Sequence, residues 1–358
     1  MSLSVGIVGL PNVGKSTLFK AITKKQVDIA NYPFCTIEPN IGIIEVPDER
    51  LDKLKEVSKA LKIVNATIKF YDIAGLVKGA SSGEGLGNKF LSHIKEVDAI
   101  AHVVRFFENN DITHVNGNID PKRDADIINL ELILSDLEVV KKRIEAVEKK
   151  ARIGDKDSVM KLTIYKKLEE VLLSEKMLHN ETFEDDYIDV IKELNLITIK
   201  PMFFIANVLE SDVNKEFKID GYENYRIIPI SAKIESEISE MENEDDRKMF
   251  LEEIGLQQSG LDKVIKFSYS FLNLITYFTS GKEESKAWTI TKGMNAKRSA
   301  REIHSDIENG FIRAEIVSYN DFINNKGWDG VKNSGVCRTE GKDYIMQDGD
   351  VAYFLFNK

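Results

Sequence analysis

The chain is poor in cysteine: 358 residues carry only Cys35 and Cys337, far apart. Two lone cysteines fit a reducing compartment better than a disulfide framework or a cysteine-rich zinc site. No apolar run approaches the roughly 18 residues needed to cross a bilayer. The opening "MSLSVGIVGL" is apolar but has no basic flank or cleavage site, and it runs directly into a glycine-rich turn. It reads as a core strand rather than a targeting segment, and the expected location is the cytoplasm. Excess positive charge is also lacking. The net charge is −10, which excludes a bulk polyanion binder and leaves only local or shape-specific nucleic-acid contacts. Apolar content of 42% and charged content of 30% are those of an ordinary globular protein, and the length suggests two or three domains.

Periodicity divides the chain. Residues 1–120 alternate strand and helix patterns: strands at "SVGIVG", "IGIIEV" (41–46), "TIKFYDIAG" (67–75) and "DAIAHVVRFF" (98–107), with helices at 16–24 and 48–61. Such alternation predicts a mostly parallel sheet. Residues 124–176 carry apolar residues at spacings of three and four (Ile127, Leu130, Leu134, Leu137, Val140, Ile144, Val147), broken at "ARIGDKD" (151–157). This predicts an antiparallel helical hairpin inserted over 124–200. Sheet patterning resumes at "PMFFIAN" (201–207) and "YRIIPISA" (225–232), followed by helices at 235–254 and 260–275. From about 276 to 358 short strands surround "KAWTI", "FIRAEIVSY", "YIMQDGD" and "VAYFLFN", with one helix at "NAKRSAREIHSDI". The expected organisation is α/β: a nucleotide-binding domain over 1–275, interrupted by the helical insertion, then a small α+β domain. The last segment has 12 Lys/Arg against 12 Asp/Glu, so the net charge lies elsewhere.

"GLPNVGKST" (9–17) fits G-x-x-x-x-G-K-[ST] between a strand and a helix, the context that a phosphate-binding P-loop requires. Gly9 and Gly14 let the backbone curl. The N–H groups around Asn12, Val13, Gly14, Lys15, Ser16 and Thr17 then face phosphate oxygens. Lys15 reaches the β- and γ-phosphates, and the Ser16 hydroxyl can ligate Mg²⁺. "YDIAG" ends the third strand in D-x-x-G: Asp72 can hold a Mg²⁺-bound water, and the Gly75 N–H can sense the γ-phosphate. Thr36, in "NYPFCTIEPN" (31–40), is the expected second protein ligand to Mg²⁺. Asn12 is placed to help hold a monovalent cation, K⁺, beside the phosphates.

The base site is the unusual part. A guanine reader carries Asn-Lys-x-Asp after this strand, and this chain has Asn207, Val208, Leu209 and Glu210. The lysine is missing and the carboxylate is one methylene longer. An Asp accepts from guanine N1–H and the 2-amine, whereas adenine offers an acceptor at N1 and no 2-amine. Loss of such pairing can change discrimination by orders of magnitude. The backbone of Val208 and Leu209 offers a carbonyl to the adenine 6-amine, and Ser231 and Ala232 of "PISAK" (229–233) border the ring. This favours adenine; guanine held through Asn207 and backbone contacts is the alternative.

Leu76 follows Gly75 where many GTPases place the glutamine that orients the attacking water, so intrinsic hydrolysis is expected to be slow. Among His93, His102, His114, His179 and His304, His114 best replaces it, lying after the fourth strand near the phosphate end. His102, inside an apolar strand, reads as core. The segment 75–87 contains Gly75, Gly79, Gly83, Gly85 and Gly87, which suits a nucleotide-driven order–disorder switch.

The motifs "GLPNVGKSTLF", "PFCTIEPN", "DIAGLVKGASSGEGLGNKFL", "HVVRFFE", "AWTI" and "EGKDYIMQDGDV…FLFN" span the whole chain. Together they resemble the YchF subfamily of Obg-related P-loop ATPases and GTPases. The resemblance implies a G domain with a coiled-coil insertion and a C-terminal TGS domain. It also implies an N-x-x-E base motif, matched by Asn207 and Glu210, and ATP preferred over GTP. Hydrophobic substitution of the glutamine, matched by Leu76, and contact with ribosomes or ribosomal RNA are implied as well; neither a membrane nor DNA is expected as a partner. Two cationic stretches are candidates for that contact: Lys297, Arg298 and Arg301 on one helix, and "KKRIEAVEKKAR" (141–152) near the hairpin tip.

Overall fold

The computed structural model describes residues 3–24, 40–73, 86–108, 118–241 and 243–357. The elements of the first part are β1 (Ser4–Val8), α1 (Lys15–Lys24), β2 (Ile41–Val46), α2 (Arg50–Ser58), β3 (Lys62–Val64), β4 (Ala66–Asp72), α3 (Leu86–Glu96) and β5 (Ala99–Arg105). The long helices α4 (Pro121–Arg152) and α5 (Lys156–Leu173) follow, then α6 (Asp185–Glu193), β6 (Met202–Asn207), β7 (Ile227–Ile230), α7 (Ala232–Glu240), α8 (Glu244–Glu253) and α9 (Gly260–Phe271). The last part has β8 (Leu274–Ser280), β9 (Glu284–Thr291), α10 (Ala296–Ala300), α11 (Ser305–Asn309), β10 (Phe311–Ser318), α12 (Tyr319–Asn324), α13 (Trp328–Ser334), β11 (Arg338–Glu340) and β12 (Asp350–Phe356).

The first sheet has the order β2-β4-β1-β5-β6-β7. It is parallel except for β2, which runs antiparallel to β4. Its central strands β1, β5 and β6 are buried along their whole length, as expected for parallel strands covered on both faces. The second sheet is mixed, in the order β11-β10-β12-β8-β9-β3. Its edge strand β3 comes from the first part of the chain and pairs in parallel with β9, with Lys62, Ile63 and Val64 opposite Glu284, Ser285 and Lys286.

The inserted hairpin forms. Asp120 caps α4, accepting from the Arg123 N–H at 3.0 Å, with Pro121 in the first turn. Asp155 caps α5 through the Ser158 N–H, and Gly154 supplies the positive φ of the turn between them. The apolar stripe read from sequence is partly out of phase. Leu130 and Leu134 are 42% and 38% exposed, whereas Ile128 and Leu132 are fully buried. The first half of α4 packs on both the sheet and α5, so its buried face is set by two neighbours rather than one.

Other boundaries differ from the sequence reading. The helix expected over 260–275 stops at Phe271, because Asn273 takes a left-handed conformation and Leu274 and Ile275 enter β8. The helix expected over 235–254 is two helices parted by an extended Met241. "NAKRSAREIHSDI" likewise forms α10 and α11, because an extended His304 caps the second. "YIMQDGD" is a turn rather than a strand, touching the sheet through an isolated Asn295–Ile345 bridge. There the Asp350 carboxylate accepts from the Gln347 N–H, and Asp348 accepts from the Thr276 N–H.

Candidate functional site

The C-terminal ends of β1, β4, β5 and β6 meet at one edge of the first sheet, the edge at which open α/β sheets place ligands. The 9–17 loop leaves β1 there. Asn12 and Gly14 hold positive φ of 62° and 100°, a curl that aims successive N–H groups into one concavity. Gly14 has a steric reason as well: a Cβ there would lie 2.2 Å from the Asn207 amide nitrogen. The loop passes into α1, where the Leu18 N–H already bonds the Gly14 carbonyl, so the positive end of the helix faces the same concavity.

Lys15 is 7% exposed and its ammonium donates to the Leu10 carbonyl at 3.1 Å. Burial lowers its pKa, and the nearby Asp72 carboxylate opposes that shift. Asp72, at the end of β4, is driven the other way: burial raises its pKa and Lys15 counters. Each of the two charges thus tempers the cost of burying the other. Ser16 and Thr17 are exposed at the start of α1. The Ser16 hydroxyl and the Asp72 carboxylate are oxygen donors of the kind that hold Mg²⁺ jointly with phosphate, since Mg²⁺ is rarely caged by protein alone, whereas the Lys15 ammonium suits phosphate oxygens directly. Gly75, Leu76, Thr36 and His114 lie outside the described residues.

The residues read as the base side lie next to one another at the ends of β6 and β7, and their side chains are committed to the protein itself. Asn207 is 5% exposed and does not project toward a ring. Its amide donates to the Val13 carbonyl at 2.9 Å, and its carbonyl accepts from the Ala232 N–H at 3.1 Å. It therefore braces the phosphate loop against the loop after β7. The Val208 side chain is buried among Val213, Ile234 and Ile238, and its N–H bonds the Ile230 carbonyl. The Ser231 hydroxyl caps α7 by accepting from the Ile234 N–H. Asn207, Val208, Ser231 and Ala232 are all buried, so what stands at the surface here is Leu209 and Glu210. The Glu210 carboxylate is paired with Lys233 at 2.6 Å. Lys233 stands in "PISAK" beside Ala232, and its place opposite an acidic base motif is the sequence signal that sequence reasoning did not weigh.

His102 is fully buried in β5 against Phe204, with ring centroids 5.2 Å apart, and neither ring nitrogen has a hydrogen-bond partner among the described residues. Burial, with Lys15 adding to it, pushes its pKa down to about 3, so it is a neutral core group as expected.

Comparison with known proteins agrees with this fold. A family model described as "50S ribosome-binding GTPase" matches residues 4–150. The YchF GTPase C-terminal model, described as a protein of unknown function, matches residues 274–357. The chain is 54% identical to the Ribosome-binding ATPase YchF of Bacillus subtilis and 50% identical to that of Pasteurella multocida, each over 100% of both chains. Its fold superposes on the YchF GTPase of Schizosaccharomyces pombe with a TM-score of 0.87 at 37% identity, covering 99% of this chain and 98% of that one. The phosphate loop, the sheet order and similarity along the whole chain lead to one conclusion: this chain belongs to the YchF family of P-loop nucleoside triphosphatases.

Proposed function

We propose that the chain binds ATP in preference to GTP, hydrolyses it slowly, and uses the nucleotide state to control association with the ribosome in the cytoplasm. The observation that carries this reading is the 9–17 loop, curled by the positive φ of Asn12 and Gly14 around a buried Lys15 that is electrostatically coupled to Asp72. It is supported by relatives half identical over their whole length that are named ribosome-binding ATPases.

In this reading Gly14, Lys15, Ser16 and Thr17 hold the phosphates, and Lys15 stabilises the charge that develops on the transferred oxygens. The Val13 N–H joins them, and Asn12 helps hold a K⁺ ion. Ser16 and Thr36 would hold Mg²⁺ with help from the Asp72 carboxylate, and the ion would supply neutralisation of phosphate charge. Gly75 senses the γ-phosphate and His114 orients the attacking water in place of the absent glutamine. Asn207, Val208, Ser231 and Ala232 shape the base side through backbone and bracing contacts. Glu210 replaces the guanine-reading aspartate.

The test is calorimetric titration of nucleotide-free protein with ATP and with GTP in Mg²⁺. Tighter ATP binding is expected, and tighter GTP binding would sink the adenine reading. Leu76 favours a second reading, a nucleotide-dependent binder whose hydrolysis is incidental. Single-turnover hydrolysis separates the two: acceleration by ribosomes supports the switch, and an unchanged rate supports the binder.

A further inference from the structure

β6 and β7 are adjacent parallel strands with Asn207 opposite Ile230, so the loops that follow them emerge side by side. A single turn of 3-10 helix (Glu210–Asp212) follows the first, and α7 follows the second. Glu210 and Lys233 reach across the gap between these loops, with 2.6 Å between Oε1 and Nζ; Glu237 lies 3.9 Å from the same ammonium. Lys233 is 71% exposed and Glu210 48%. Exposed pairs of this kind add little to folding stability, so stability does not account for the bridge. Its chemical consequence is larger. The only carboxylate of the base motif already has a cation as its partner, at the place where a guanine reader needs a carboxylate free to accept two N–H donors.

We propose that Lys233 is a specificity-determining residue, which selects against guanine by holding the Glu210 carboxylate in an ion pair across the mouth of the base site. The inference rests on the ATP-preferring reading above and names a device that enforces it. To accept from guanine N1–H and the 2-amine, Glu210 must leave Lys233. Adenine presents a lone pair at N1 and no 2-amine, so it asks nothing of the carboxylate, and neutralisation by Lys233 removes the repulsion between that lone pair and a bare anion. The bridge is a repulsive element against the wrong base rather than an attractive one toward the right base.

The experiment measures dissociation constants for non-hydrolysable ATP and GTP analogues, with Mg²⁺, on the full chain and four variants: Lys233→Met, Lys233→Arg, Glu210→Gln and Lys233→Met/Glu210→Gln. Lys233→Met is expected to narrow the ATP-over-GTP ratio about two- to fivefold, the scale of an exposed pair, chiefly by tightening GTP. Lys233→Arg keeps the wild-type ratio. With Glu210→Gln also present, the narrowing disappears, because no carboxylate remains to be released. An unchanged ratio in Lys233→Met, or a narrowing that survives in the double variant, would overturn the proposal while leaving the ATP reading intact. A wild-type protein that binds GTP more tightly overturns the ATP reading itself, whatever the variants do.

Discussion

Asn207 holds two loops with one amide. Its partners, the Val13 carbonyl and the Ala232 N–H, are themselves buried. Asn207→Ala would leave both without partners, and each such group costs about 1–3 kcal/mol. The expected loss is about 3 kcal/mol of unfolding free energy by urea titration, with at least tenfold weaker binding of ATP and GTP alike. A change confined to one nucleotide would show instead that Asn207 reads the base. His102 makes a prediction in pH. Its folded pKa of about 3 lies below its ordinary 6.5, so between those values the unfolded chain takes up a proton that the folded chain refuses. Stability therefore rises with pH across that window and is lost as pH falls through it, by up to about 1.4 kcal/mol per pH unit. Replacing it by phenylalanine should remove that slope from urea midpoints measured between pH 6.5 and pH 4; an identical slope in the variant would assign the acid sensitivity to other groups.

Among the elements, α4 is tied by one acidic side chain to the turn that precedes β6. Asp136 is fully buried and accepts from the Ile197 N–H, the Thr198 N–H and the Thr198 hydroxyl at 3.0, 2.7 and 2.7 Å. The segment it holds leads to Lys200, whose ammonium caps the end of α3 by donating to the carbonyls of Lys95 and Val97. The helical insertion is thus linked to the helix that follows the 74–85 segment. Asp136→Ala should cost about 3 kcal/mol or more, since it strands three buried donors. Asp136→Asn, which keeps one acceptor, should cost less. Hydrogen exchange would report the difference as faster exchange at 195–200 and at the end of α3. Protection unchanged in the alanine variant would mean that packing alone holds the hairpin.

Across the whole molecule one face of the second sheet joins the core of the first, while its other face packs a separate cluster around Tyr277, Ile316 and Phe354. The main hydrophobic cluster runs from Val5 and Leu54 through to Phe278, Val317 and Val351. β3 extends the second sheet, and Arg50 at the start of α2 bonds both Asp48 and Asp348 while lying over the Phe278 ring at 4.8 Å. A fragment ending at residue 273 would expose Leu51 and Leu54 and leave β3 without its partner. It is expected to aggregate in light scattering, and the full chain to melt in a single calorimetric transition; a monomeric, folded fragment would show that the first part is self-sufficient. The cationic run at 141–152 lies beyond Val140, the last residue of α4 buried against the body, so a contact made there with an anionic partner would be read from its salt dependence.

The phosphate loop, the hairpin and the alternation of strands and helices were legible in sequence because each is a local pattern. A glycine-lysine-serine turn, a 3.6-residue period and a buried apolar strand are set by neighbours along the chain. By itself the sequence therefore determined the P-loop architecture, the family resemblance and the place of the base motif. Tertiary structure decided what no local pattern encodes. It put β3 in the distant sheet, because a three-residue strand has too short a period to announce its partner. It buried Ile128 and Leu132 rather than Leu130 and Leu134, because two surfaces press on α4. It turned Asn207 into a brace and joined Glu210 to Lys233, because hydrogen bonds and ion pairs depend on distances between residues far apart in the chain, and only folding sets those distances.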